Sequence, residues 1–413
     1  MREMKDSGVE WIGEIPKTWS VIRVKHCFTI TNGSDPKSTN GDIQVYGSGA
    51  KSFKMCSEYK VGPTVLLGRK GTVNIPQYIE GKYWNVDTAF DVHAKGNYNL
   101  KLFYYASMCF NYDKYSTQTA LPSMTQSNYL NFSIPFFNYG IQQRIADYLD
   151  SKCSQIDSII EKQKQIIEKL KEYKISLITE VVTKGLDPNV EMKNSGVEWI
   201  GKIPKHWNVL KLKFLFEDGN SGLKIGPYGS ALKGKTLDKG PYKIYNQAHL
   251  IQNDFSISRH YISEETFNEL SNYEVRPGDI LFSMMGTIGK CRIMPQNQIP
   301  GIMDSHLLKS RLNKKILDNF FVYAYDKDYS NQVIDQLKFL SAGTIMDGLN
   351  SKILKNIYIA VPPIEEQNQI LDYLDSKCSQ IDTSITKKEL IVEKLQEYKK
   401  SIIYEVVTGK REV

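Results

Sequence analysis

Gly68-Arg69-Lys70-Gly71 sets two cations between glycines, and glycines let a backbone approach a ligand as closely as contact with a phosphate or a base edge requires. The stretch GPYGSALKGK from Gly226 to Lys235 has a similar texture, with Tyr228 available to stack or to donate and with Ser230 and Lys233 beside it. Gln118, Thr119, Gln126 and Asn128, and later Gln247, Asn350 and Lys352, are side chains able to read base edges. Thr72, Thr287, Lys290 and Thr344 complete the candidate contact set. Each residue singly is better read as a solvated loop position. Two such sets on one scaffold make polyanion binding the better account.

Motifs for catalysis do not assemble. GTIGKC at Gly286 to Cys291 lacks the leading glycine and the hydroxyl residue of a phosphate loop, so it reads as a turn after a strand. An adenine methyltransferase would carry an Asn/Asp-Pro-Pro-aromatic element, and only Val361-Pro362-Pro363-Ile364 approaches it, without the leading amide or carboxylate and without the aromatic. Asp304-Ser305-His306 is adjacent in sequence, which is not how triads are built, and reads as a turn with a satisfied histidine. The six histidines have no HxH or HxxxH spacing, and the six cysteines form no CxxC pair, so neither a metal site nor a disulfide framework is indicated.

The elements that position these residues come in duplicate. MKDSGVEWIGEIPKTWSVIRVKHCF at 4–28 matches MKNSGVEWIGKIPKHWNVLKLKFLF at 192–216. DYLDSKCSQID at 147–157 recurs letter for letter at 372–382, and EKL, EY and EVVT follow in both copies. A repeat this long is a duplicated half-molecule rather than a solenoid unit. Leu149, Cys153, Ile156, Ile160, Gln163, Ile167, Leu170, Lys174, Leu177 and Val181 follow alternating steps of four and three, and Leu374 to Val406 repeat that seam position for position. A helix from about Ile141 to Thr183 spans about 64 Å and is not stable alone on one apolar seam, so the two helices are expected to pack on each other.

Between the matches lie two divergent blocks that mix short strands and tight turns with short helices. The fold class is therefore α+β: two such domains joined by two long helices in an antiparallel coiled coil, with GLDPNVEM at 185–192 as the joint between halves. The expected division is 1–138, 139–184, 185–361 and 362–413. Residues 20–138 hold 12 basic against 7 acidic residues and 205–360 hold 20 against 15, so the net charge of +7 sits on the divergent blocks. With 413 residues, 41% hydrophobic and 24% charged, and without an apolar run long enough to span a bilayer, the chain is expected to be a cytoplasmic globular protein.

MKxSGVEWIGxIPxxW, a variable block, PPIEEQxxIxDYLDxxxxxID ending at Asp382 and EKLxEYKxSxIxEVVT together resemble the specificity subunit of type I restriction-modification systems, over nearly the whole chain. LLGRKGTV with YWNVDTAF, and GDILFSMMGTIGK with LNSKILKNIYIAVPP, look like pieces of that family's target recognition domains. The resemblance implies that each variable block reads one part of a split, asymmetric site in double-stranded DNA. It implies that the helices space the blocks and receive two modification subunits, which methylate adenine, and that restriction subunits join them. The chain itself would bind no cofactor; S-adenosylmethionine, ATP and magnesium belong on the partner subunits. The first copy departs from the pattern, because FNYGIQQ at 137–143 stands where the second has PPIEEQ, so the strand-to-helix joint there is expected to differ. A DNA-modifying enzyme with its own active site and a coiled-coil adaptor without nucleic acid are the alternatives.

Overall fold

The computed structural model describes residues 3–49, 51–117, 120–217, 222–257, 260–285, 287–341 and 349–413. Two helices dominate it, Tyr139–Lys184 and Ile364–Val407. The chain forms two compact units, Met1–Gln165 with Lys388–Val413, and Ile166–Lys387. The four-part division expected from sequence ends at the helix boundaries. The units instead share both helices, because each recognition block is packed on segments of the two.

In the first unit, Ile145, Leu149, Cys153, Ile156 and Ile160 of the first long helix are buried in one core with Ile402, Ile403 and Val406 of the second. Lys399 Nζ reaches both carboxylate oxygens of Asp157, at 2.7 and 2.6 Å, and Lys388 Nζ donates to Gln163 Oε1 at 3.2 Å. In the second unit, Ile167 packs with Ile381 and Ile385, and Lys174 Nζ reaches both oxygens of Asp382 at 2.8 and 2.7 Å. In each unit the pairing runs antiparallel. The two polar seam positions are thus filled by hydrogen bonds and ion pairs that the heptad pattern leaves unspecified.

Each unit carries the same arrangement of strands. The first has a four-stranded sheet ordered Phe28–Asn32, Ala89–Ala94, Thr64–Gly68, Gln77–Ile79, and a second ordered Lys54–Cys56, Ile43–Tyr46, Lys82–Asn85, Lys60–Val61. The second unit repeats them as Leu223–Ile225, Leu307–Ser310, Ile280–Ser283, Cys291–Ile293 and as Tyr261–Ile262, Tyr242–Tyr245, Gly301–Met303, Glu274–Val275. The sequence matches at 4–28 and 192–216 are hairpins, Met4–Asp6 with Glu14–Pro16 and Met192–Asn194 with Lys202–Pro204, followed by buried Trp19 and Trp207. Each hairpin closes the end of a long helix. Gly409, with φ of +75°, lies against Pro16 and Trp19, while Gly185, with φ of +77°, lies against Trp207 and Pro204. A Cβ at 409 would meet Pro16 and Trp19 at 2.6–2.8 Å, so glycine serves both the left-handed turn and the close approach.

The joint between recognition block and helix is the same in both copies, contrary to the difference expected from FNYGIQQ. Gln142 and Gln367 are fully buried at equivalent positions. Gln142 Nε2 donates to Phe137 O at 2.7 Å and its Oε1 accepts from Asn99 N at 2.8 Å. Gln367 Nε2 donates to Pro362 O at 2.8 Å and to Lys315 O at 3.1 Å, and its Oε1 accepts from Leu317 N at 2.8 Å. The Tyr105 hydroxyl donates to Asp150 at 3.2 Å just as that of Tyr323 donates to Asp375 at 2.8 Å. What differs is the packing over the tryptophan. The Trp207 indole N–H donates to Glu366 at 3.0 Å, whereas Ile141 stands at the matching position and Trp19 stacks on Phe137 at 3.7 Å between centroids.

Replacing Gln367 by Leu leaves the buried Pro362 carbonyl without that partner, at about 1–3 kcal/mol, and also removes the bonds to the part-buried Lys315 O and Leu317 N. Gln367→Leu and Gln142→Leu are each expected to lower the midpoint of chemical denaturation, with far-UV circular dichroism of the native state unchanged. An unshifted midpoint would show that these amides do not clamp the joint.

Candidate nucleic-acid interface

The Arg69-Lys70 segment leaves the end of strand Thr64–Gly68 and is fixed by backbone bonds on both sides. Arg69 N donates to Thr88 O at 2.7 Å, Met124 N donates to Arg69 O at 2.9 Å, and Gly71 N donates to Pro122 O at 2.8 Å. A Cβ at Gly68 would lie 2.4 Å from Thr72 O, so the tight return of the loop requires that glycine. Together with Asn32, Phe90 and Ser123 to Gln126, the two cations line a shallow cavity of about 300 Å³. Arg69 is half-buried, with Nη1 donating to Asp87 O at 3.3 Å and lying 3.9 Å from the Asp87 carboxylate. Lys70 and Thr72 are exposed.

The second unit has a loop in the same place with other chemistry. Met284 N donates to His306 O at 3.0 Å and Leu349 N donates to Met284 O at 2.7 Å, the bonds that Arg69 makes with Thr88 and Met124. Strand registers agree, since Gly68 pairs with Ala89 and Ser283 with Leu307. Met284 and Met285 therefore stand where Arg69 and Lys70 stand, and Thr287 where Thr72 does. A short helix follows each site, Gln126–Asn131 capped by Thr125 and Ser351–Asn356 capped by Asn350. Sequence reading missed this equivalence because LGRKGT and FSMMGT share only their last two letters, a glycine and a threonine.

Several groups read as base-contacting hold the loops instead. The Gln126 amide donates to Ile30 O, Asn128 Nδ2 to Tyr115 O at 2.9 Å, and Gln247 Nε2 to Ser283 Oγ at 3.1 Å and Met285 O at 2.7 Å. Asn350 Oδ1 accepts from Ile353 N at 2.9 Å, and the Thr287 hydroxyl is 2.7 Å from that of Ser283. Lys290 has a side chain only 12% exposed and is ion-paired with Asp328, which also accepts from Arg292 Nη2 at 3.1 Å. Burial raises the Asp328 carboxyl, but the hydrogen bonds and charges of Lys290 and Arg292 outweigh it and hold that carboxyl below its ordinary value. Lys352 is exposed on the capped helix.

Tyr228 is 87% exposed, ahead of the short turn Gly229–Leu232. Ser230 and Lys233 are exposed in the same segment. A Cβ at Gly226 would lie 1.7 Å from Asp304 O, so this segment is pressed onto the backbone before His306. Asp304 caps its own turn there by accepting from His306 N at 2.9 Å, and burial outweighs that bond to raise its pKa. Gln118, Thr119 and Thr344 lie outside the described residues. Among the described residues no cluster of three or more His, Cys, Asp or Glu is placed to hold a metal, and no helix is long and apolar enough to cross a membrane.

The family described as the type I restriction modification DNA specificity domain matches this chain twice, over residues 16–177 and 204–393. A chain from a structure of complex assembly and conformational transition of the type I R-M system shares the fold, with TM-score 0.69 and 13% identity over 96% of this chain and 99% of that one. The HsdS subunit from Thermoanaerobacter tengcongensis aligns at TM-score 0.49 and 14% identity, over 96% of this chain and 98% of that one. The chain belongs to the type I restriction-modification DNA specificity family. It is the DNA sequence-specificity subunit of such a complex, the non-catalytic member that supplies the address.

Replacing Arg69 and Lys70 by Ala is expected to weaken DNA binding and to reduce the slope of log affinity against log salt by about one unit for each phosphate that is no longer neutralised. Binding titrations across a salt series measure this. An unchanged affinity and slope would make the segment an ordinary turn.

Proposed function

We propose that the two recognition domains each read one part of a bipartite, asymmetric DNA site, with bases between them left unread. The chain so directs adenine methylation, or restriction, by its partner subunits. The observation that carries this reading is the duplication of one loop, after Gly68 and after Ser283, on the equivalent sheet of each unit and under equivalent backbone bonds, with side chains that differ between the copies. One scaffold with two dissimilar reading surfaces fits an asymmetric target. Two modification subunits would bind the repeated helical elements and restriction subunits would join them. S-adenosylmethionine would serve methyl transfer on the modification subunits, with ATP and magnesium serving the restriction subunits. The contact residues on this chain would be drawn from Arg69, Lys70, Thr72, Tyr228, Ser230 and Lys233.

Exchange of residues 20–138 for the corresponding block of another family member is expected to change one part of the methylated site and leave the other. Methylation mapping showing both parts altered would refute independent reading. The continuous helices are proposed to set the unread spacer. A heptad inserted between Ile160 and Ile167 and another between Ile385 and Val392 adds about 10 Å to each helix while keeping the seam. Selection from a library of split sites should then return a spacer longer by about three base pairs, with both parts unchanged. An unchanged spacer in a folded variant would assign the spacing to something else.

A further inference from the structure

The equivalence of the 68–72 and 283–287 loops places exposed side chains of opposite character at one backbone position. In the first unit that side chain is Lys70, whose ammonium has no hydrogen-bond or ion-pair partner among the described residues. Arg69 stands beside it, and the cavity wall they share carries the polar side chains of Asn32, Ser123, Thr125 and Gln126 beside Phe90 and Met124. In the second unit the side chain is Met285, 41% exposed, while Met284 packs against the core.

The polar groups around Met285 are already committed. The Gln247 amide is spent on Ser283 Oγ and on Met285's own carbonyl, the Thr287 hydroxyl lies on Ser283, and Lys290 is drawn to Asp328. Holding the loop uses up the hydrogen-bonding groups and leaves a thioether side chain at the surface. In the first unit the loop is held by backbone bonds and by the Tyr129 hydroxyl, which donates to Gly68 O at 2.7 Å, and these leave Lys70 available.

Resting on the reading of each domain as a reader of one part of the site, we propose that the two domains recognise DNA by opposite chemistry at this position. Lys70 with Arg69 engages the acceptor edge of a guanine, the base that presents two major-groove acceptors to a cation. Met285 covers the methyl group of a thymine, the one apolar feature of the major groove. The first contact is cationic and weakens with salt; the second is apolar and does not.

The test uses the full-length chain with its modification subunits and duplexes carrying the mapped site, each part having been assigned by block exchange. Thymines are replaced one at a time by deoxyuridine, which removes only the methyl, and guanines by 7-deazaguanine, which removes only the N7 acceptor. One thymine in the second domain's part should lose roughly fourfold in affinity, the value of one buried methyl. Met285→Ala should no longer distinguish uracil from thymine there, and Met285→Leu should still do so. One guanine in the first domain's part should lose at least about fivefold, the lower end for one good base contact, and the double variant Arg69→Met with Lys70→Met should be indifferent to it. Uracil tolerated throughout the second part, or a methyl preference that persists in Met285→Ala, overturns the apolar assignment. Sensitivity to 7-deazaguanine that persists in the double variant overturns the cationic one. A Met285→Ala chain that loses its modification subunits instead makes Met285 a protein contact and likewise overturns the proposal. Failure of the unaltered complex to prefer the mapped site over scrambled duplex would overturn the DNA reading itself, a result distinct from specific binding that is indifferent to the analogues.

Discussion

A helix of more than forty residues with a single apolar seam must bury that seam, here against a second such helix and against the recognition blocks, and this constraint organises the molecule. In each unit the seam is completed by a segment of the other helix, so neither copy of the repeat holds its core without residues from the other copy's helix. Polar seam positions add register. Lys174 with Asp382 and Lys399 with Asp157 are one pair written twice, and Gln163 meets Lys388, its own counterpart in the repeat. A one-turn slip would separate these partners while leaving the lysines half-buried, which costs more than the loss of an exposed ion pair.

On this frame the recognition blocks are clamped by groups that did not diverge in role. Gln142 and Gln367 tie the helix start to the turn before a short helix, and Tyr105 with Asp150 and Tyr323 with Asp375 repeat the tie one layer on. The two glutamines hold backbone, so the residues they bind can vary in side chain. The loops following Gly68 and Ser283 are one place where the two copies differ in side chains.

Much of the architecture was legible in the sequence because it depends on period and repetition. The heptad steps from Leu149 to Val181, the duplication of the segment that ends in Trp19 and Trp207, and the reading of the GRKG stretch as strand and tight turn all stand in the structure. The departure at FNYGIQQ misled, since Ile141 for Glu366 and Phe137 for Pro362 looked like a changed joint, whereas the glutamine that makes the joint was kept. The recognition surface was less legible. An amide able to read a base is equally able to cap a helix or to hold a strand edge, and only the fold reveals that Gln126, Gln247 and Asn350 do the latter. The pairing of Lys70 with Met285 was hidden because equivalence there is carried by backbone bonds rather than by letters.

The central claim is that two equivalent domains on one helical frame give a single address in two parts. Mapping methylated adenines in DNA from cells that carry the chain and its modification subunits, beside cells lacking only this chain, tests it most directly. The account predicts one motif of two defined parts separated by a fixed number of unread bases, absent when the chain is absent. A contiguous motif, or the same methylation pattern without the chain, would contradict it.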